Sequence, residues 1–228
     1  MWSIAEVVGT IKTPFRRNYD RSEIIADGVV HAIGVSLGLV GVVVLFLSVI
    51  HVGDAGEITP VAVYAGGLLA TLGLSAAYNM WPVSPVKWLL RRFDHSAIYV
   101  LIAATYTPFL AQLKTEVAAM GLMIVVWLTA VIGVVIKLLL PGRFDRLAIA
   151  LYLLLGWSGL ALYRPIVAAL PGSILSLLAA GGVLYSAGVT FHLWKKLRFQ
   201  NAIWHGFVLV AACCHYMAIL EFVMLSRI

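Results

Sequence analysis

Residues 24 to 51, IIADGVVHAIGVSLGLVGVVVLFLSVIH, are an apolar run long enough to cross a bilayer, interrupted in its first third by Asp27 and His31. About 20 consecutive apolar residues span the hydrocarbon core as a helix, in which every backbone amide is satisfied within the segment. The stretch reads as a transmembrane helix. Ionisable side chains in hydrocarbon are costly, and they normally face a bundle interior or cavity where they mark a functional site.

Working outward, comparable runs lie at 59 to 80, 93 to 113, 117 to 138, 146 to 163, 171 to 192 and 202 to 222. Hydrophobic residues make up 62% of the 228-residue chain and charged residues 11%, with a mean hydropathy of +1.00. Such a composition excludes an ordinary soluble domain. The expected fold is an all-α integral membrane protein with seven transmembrane helices. The fifth run is the shortest, with Arg164 and Pro165 close behind it and Pro171 and Gly172 opening the next, so partitions into six or eight spans stay open. No linker or low-complexity stretch divides the chain. Residues 1–22 form an N-terminal segment and 23–228 one transmembrane domain.

Basic residues concentrate in cytoplasmic loops, and here they alternate from loop to loop. Lys12, Arg16, Arg17 and Arg21 precede the first run, Lys87, Arg91 and Arg92 follow the second, Lys137, Arg143 and Arg146 follow the fourth, and Lys195, Lys196 and Arg198 follow the sixth. That places 13 basic residues on one side, against Lys114, Arg164 and Arg227 on the other. The expected topology has the N-terminus cytoplasmic and the C-terminus outside. Trp81, Trp88, Trp194 and Trp204 adjoin the same basic loops, as interfacial aromatics do. A net charge of +6 spread over separate loops is explained by orientation and anionic headgroups rather than by nucleic acid.

Several local signals refine this outline. Trp2, Ile4, Ala5, Val7, Val8 and Ile11 have helical spacing, so residues 2 to 12 either lie flat on the inner leaflet or form a disordered lead. No cleavable signal is apparent. Asp20 followed by Glu23 resembles a capping box. Cys213 and Cys214 are adjacent and without further cysteine partners, and read as small core residues. Gly34 and Gly38 on the first helix, and Gly181, Gly182 and Gly188 on the sixth, allow close helix packing.

With the orientation assigned, the polar residues converge in depth near the cytoplasmic side. Glu23, Asp27 and His31 share one helix face by their four-residue spacing. Ser75, Tyr78 and Asn79 end the second helix, Asp94, His95 and Ser96 begin the third, and Asn201 and His205 begin the seventh. His215 lies ten residues beyond His205, about 15 Å along a helix, so one metal cannot bind both. Each residue also has an ordinary reading. Asp94 suits a helix N-terminus, His95 would face headgroups, and His31, His215, Asn79 and Asn201 would bond helix to helix. The functional reading rests on the set.

The stretch RRFDHSAIYVLIAATYTP at residues 91–108, with Ser75, Tyr78, and Trp204, His205 and His215 in WHGFVLVAACCH, resembles the hemolysin III branch of the progestin and adipoQ receptor family. The resemblance covers nearly the whole of Glu23 to Ala218. It implies a seven-helix, N-inside architecture and a zinc ion held by three histidines, one ending the second helix and two opening the seventh. This sequence departs from that pattern. Asn79 stands where the family reads Ser-x-x-Tyr-His, and Asn201 stands at the first seventh-helix position, leaving His205. Asp27 takes the place of the family's usual asparagine on the first helix.

Neutral amides are weak zinc ligands, so a three-histidine zinc site is not expected and no cofactor is required. Asp27 and His205 remain potential ligands for a divalent metal, and with Asp94 and the asparagine oxygens would form an oxygen-rich site for a harder cation. Without metal, two close buried carboxylates resist ionising together. The leading functional expectation is a lipid-binding sensor or membrane-homeostasis factor in a bacterial inner membrane, with membrane lipids as partners. The alternative is a ceramidase-like metal-dependent lipid amidohydrolase, with Asp94 as general base and Ser75 orienting water or the oxyanion. A pore-forming or cytolytic protein is the third class, but no span carries a polar pore-lining stripe. The seventh span has no lysine for a retinal Schiff base.

Overall fold

The structure, a computed structural model, describes residues 19–50, 55–113 and 117–225. Within them the chain is helical, with no strand: α1 Arg21–Ile50, α2 Ala55–Met80, α3 Pro85–Gln112, α4 Val117–Leu139, α5 Asp145–Trp157, a 3-10 segment Ser158–Leu162, α6 Tyr163–Ala169, α7 Gly172–Leu193 and α8 Gln200–Leu225. Six helices are long and apolar enough to cross a membrane, with Asp145–Ala169 counted as one. The remaining long helix, α3, carries Lys87, Arg91, Arg92 and Asp94 in its first half. Residues 2–12, Lys114 and Arg227 lie outside the described residues.

The helices form a ring in chain order. α1 packs on α2, α2 on α3 and α3 on α4, α7 packs on α8, and α8 returns to α1, while α5 touches α3, α4 and α7 sparsely. The ring is apolar outside, and inside it is apolar except for a set of polar residues gathered toward one end. On α1 the buried residues are Asp27, His31, Gly34, Gly38, Leu45 and Val49, a single stripe at helical spacing, whereas Val29, Ile33, Leu37, Val40, Val44 and Leu47 are exposed. A helix facing lipid has no reason to hide its apolar surface, so its buried face is free to carry the polar groups. Close approach is built with glycine: a Cβ on Gly38 would sit 2.5 Å from Leu72 Cδ1.

The start of α1 is a reciprocal capping box. The Glu23 N–H donates to Asp20 Oδ1 at 2.9 Å and the Asp20 N–H donates to Glu23 Oε2 at 3.0 Å. Glu23 Oε1 also accepts the Phe199 N–H at 2.8 Å, and Arg198 reaches Asp20 Oδ2 at 3.1 Å. One cap thereby ties the first helix to the turn before the last. The Ser22 hydroxyl on Asp20, with the Glu23 N–H and Arg198, lowers the Asp20 pKa to about 2.

Two boundaries differ from the sequence expectation. The third helix begins at Pro85 rather than near 93, because Ser84 caps it by accepting the Lys87 N–H at 3.3 Å and proline is preorganised for the first turn. Arg91 and Arg92 are thus helical residues, not loop residues. In the fifth span the α-helix ends at Trp157, and Arg164 and Pro165 belong to α6 rather than to a loop. Tyr106 of α3 sustains this break. Its hydroxyl donates to the Gly156 carbonyl at 2.7 Å and accepts the Gly159 N–H at 2.8 Å, substituting for backbone bonds the helix gives up.

Candidate functional site

The closure of the ring by α1 and α8 brings three ionisable side chains together. Asp27 is 4% exposed, and the four-residue step to His31 places both on the face of α1 that meets α8. His205 Nδ1 lies 2.6 Å from Asp27 Oδ1, and His31 Nε2 lies 3.8 Å from the same oxygen. The two imidazoles are 4.4 Å apart, centroid to centroid. One ligand atom from each of Asp27, His31 and His205 falls within 4.8 Å of the others. His31 Nε2 is buried and without a hydrogen-bond partner.

The end of α2 supplies the second group. The Asn79 amide donates to the Ser75 carbonyl at 2.9 Å and approaches Ser75 Oγ at 3.4 Å, while Asn201 Nδ2 donates to Asn79 Oδ1 at 3.4 Å. Lys87 fixes this helix end, its ammonium donating to the carbonyls of Tyr78 at 2.9 Å, Asn79 at 3.1 Å and Trp81 at 2.8 Å. A cation at a helix C-terminus satisfies carbonyls that have no intrahelical partner.

On α3, Asp94 is buried, with the Ser75 hydroxyl beside its carboxyl group and His205, Arg91 and Asp27 close enough to interact with it. His95 Nε2 is 3.9 Å from Asp94 Oδ2, and its ring meets Tyr78 edge-on at 6.2 Å. The Tyr152 hydroxyl donates to the His95 carbonyl at 2.9 Å. His215 stands apart: its Nε2 is 3.2 Å from the Leu178 carbonyl and its ring packs on Tyr185 at 5.5 Å.

A neighbouring ion cluster was not anticipated. Asp145 Oδ1 accepts from Lys137 Nζ at 2.7 Å and Oδ2 from Arg91 Nη2 at 2.8 Å, and the Lys137 side chain is only 3% exposed. Read from sequence, Arg91 and Lys137 were loop charges marking topology. The signal was the position of Lys137 inside an unbroken apolar run, where a lysine needs a partner.

All of these side chains line one cavity of about 1530 Å³. One end is polar, with Asp27, His31, Asn79, Asp94, Arg91 and His205; the other is apolar, with Leu101, Phe109, Leu110, Ile166, Leu170 and Leu175. The sparse packing of α5 leaves room for it. Its walls also include Leu153 and Trp157 of the fifth span and Ala179, Ser186 and Val189 of α7.

Residues 22–216 match the family described as Haemolysin-III related. The chain belongs to this family. It is 37% identical over 198 residues to the hemolysin-3 homolog of Bacillus subtilis (strain 168), covering 87% of this chain and 93% of that protein. With hemolysin-3 of Bacillus cereus it shares 34% identity over 202 residues, 89% of this chain and 92% of that protein. A more distant likeness is to the human monocyte to macrophage differentiation factor, 31% identical over 175 residues, 74% of this chain and 72% of that protein. These relatives accord with the hemolysin III branch of the progestin and adipoQ receptor family. No solved structure gives a significant match. Family membership and six apolar helices of membrane-spanning length together make this haemolysin-III protein an integral membrane protein.

The zinc site implied by the resemblance does not fit these residues. Asn79 and Asn201 hold two of its three positions, the Asn79 oxygen already accepts from Asn201, and the Asn79 nitrogen is spent on Ser75. Two mutually bonded amides and one imidazole are not a zinc donor set.

Proposed function

We propose that this haemolysin-III protein is a lipid-binding factor of a bacterial inner membrane. It crosses that membrane seven times, with its N-terminus cytoplasmic and C-terminus outside. The observation that carries the reading is a cavity of about 1530 Å³ with a polar and an apolar end. Ligand pockets for small molecules usually measure about 300–1000 Å³, and specificity comes from a few polar groups in a mostly apolar wall. An amphipath with a hydrogen-bonding headgroup and a hydrocarbon chain matches both ends at once. The headgroup would meet Asp27, Asp94, His205 and the Asn79–Asn201 pair, with Arg91 within reach of an anionic group. The acyl chain would run toward Phe109 and Leu170. Loop charge supports the orientation, since it sets the polar end on the basic, cytoplasmic side.

The test is mass spectrometry of lipids that co-purify with the detergent-solubilised protein, comparing wild type with Leu153→Trp. Filling the wall at Leu153 should remove a stoichiometric lipid. An equal lipid complement in both proteins, or none in either, would refute the reading. Release of fatty acid from an amide-linked lipid would instead favour the hydrolase. For topology, a reporter fused after Ile228 should be active only outside the cytoplasm.

A further inference from the structure

We propose that Asp27, His31 and His205 form a divalent transition-metal site, displaced from the positions held by Asn79 and Asn201. The proposal goes beyond lipid binding, and it shares Asp27 and His205 with the headgroup end of the same cavity. Its basis is geometric. The three side chains offer one carboxylate oxygen and two ring nitrogens within 4.8 Å of one another, on two helices locked together by the ring closure. In a tetrahedral site with bonds of about 2.0–2.1 Å, neighbouring ligand atoms lie roughly 3.3 Å apart. The separations from Asp27 Oδ1, 2.6 Å to His205 Nδ1 and 3.8 Å to His31 Nε2, straddle that value. The 2.6 Å Asp27–His205 contact is a hydrogen bond, so a metal bound here would displace the proton between them.

The second observation is the unpartnered nitrogen. His31 is 8% exposed, yet its Nε2 has no hydrogen-bond partner and is directed at the Asp27–His205 pair. A purely structural histidine at this position would be expected to spend both ring nitrogens, since buried polar groups are almost always satisfied. A metal ion supplies what the nitrogen lacks.

The donor set also decides the class of ion. Two imidazoles and one carboxylate suit zinc, cobalt or ferrous iron, whereas calcium and magnesium call for shells of oxygen. Three protein ligands leave coordination positions open to the cavity, which Asp94 and Ser75 also line. Asn79 and Asn201, bonded to each other, are outside the ligand set. The sequence changes that remove two imidazoles are thus matched by a carboxylate on α1, beside a histidine already one turn along that helix.

The experiment is cobalt(II) titration of the chelator-treated, full-length protein in detergent. Visible d–d absorption reports tetrahedral binding, zinc serves as competitor, and elemental analysis gives stoichiometry. Wild type should bind one cobalt per chain and release it to zinc. His31→Gln should weaken binding roughly 100-fold or more, whereas Asn79→Ala with Asn201→Ala should stay within about threefold of wild type. Absence of cobalt binding by folded wild type overturns the proposal. So does binding that survives His31→Gln but is lost in the asparagine double variant. If His31→Gln does not fold, the isosteric Asp27→Asn is titrated instead, with the same loss expected and unchanged binding refuting the site.

Discussion

The contact between Gly181 of α7 and His215 of α8 gives a quantitative handle on the helix pair that carries His205. A Cβ at residue 181 would lie 2.4 Å from both Cδ2 and Nε2 of the His215 ring and 3.2 Å from the Ala211 carbonyl oxygen. Unstrained carbon contacts fall at about 3.5–4.0 Å, so the ring would have to retreat by more than 1 Å. It is held where it is by the 3.2 Å contact of Nε2 with the Leu178 carbonyl and by Tyr185 at 5.5 Å. Forcing a methyl group into such a contact costs about 1–3 kcal/mol, and breaking the hydrogen bond adds about 1 kcal/mol. Gly181→Ala should therefore destabilise by about 3 kcal/mol, or roughly 6–12 °C in melting temperature for a chain of this size. Removing the ring in Gly181→Ala with His215→Ala should recover at least about 1 kcal/mol relative to the sum of the single changes, although the Ala211 carbonyl still crowds the new methyl. Thermal unfolding of the four proteins in one detergent measures this. A single variant melting within 1 °C of wild type, or strictly additive changes, would refute the close-approach argument.

Lys87→Met removes a cation from three carbonyls at the end of α2 and should cost about 2 kcal/mol, detectable by thermal unfolding. The same variant should speed amide exchange at Tyr78 and Asn79, and unchanged exchange would show that the cap does not organise the site. Tyr106→Phe strands the Gly156 carbonyl and Gly159 N–H, so it should cost about 2–4 kcal/mol and raise exchange through 156–162. Asp20, with its folded pKa lowered from 3.8 to about 2, contributes stability that is full above pH 4 and is lost as pH falls toward 2. Asp20→Asn should remove that part of the acid-induced fall in melting temperature, and an identical slope in both proteins would contradict it.

The helical class was legible because hydrocarbon imposes length and apolarity on every spanning segment, and five of the six apolar helices repeat the runs read from sequence to within a few residues, the fifth span running on to Ala169 instead of ending near 163. The capping box at Asp20 and Glu23 was equally legible, since its two side chains act on backbone three residues away. What escaped had causes that act across the fold. The early start of α3 depends on Ser84 and Pro85, yet Lys87, Arg91 and Arg92 disguised that helix as a loop. They can sit in a helix because Lys87 is bonded to carbonyls of α2 and Arg91 to Asp145 of α5. The break after Trp157 depends on the hydroxyl of Tyr106, some 50 residues away in the chain, which no local pattern reveals.

The site shows the same division between what lies on one helix and what the ring brings together. Asp27 and His31 share a face through their four-residue spacing alone, and this much follows from sequence. That His205, rather than Asp94, closes on them follows from the return of α8 to α1, a pairing between the first and last helices of the ring. Depth alone grouped Asp27, Asp94 and His205, because all three lie near one end of their helices. Azimuth, which loop charge does not report, puts His31 with Asp27 and His205 in the closest group, while Asp94, beside Ser75, stays near enough to His205 and Asp27 to interact with both. Against the pattern the resemblance implies, Asn79 on α2 and Asn201 on α8 offer amides where imidazoles would stand, while Asp27 offers a carboxylate on α1 facing α8. The proposed metal site would therefore be tied to the α1–α8 seam. Perturbing that seam through Glu23 and Phe199 should move metal affinity, whereas perturbing the end of α2 through Lys87 should not.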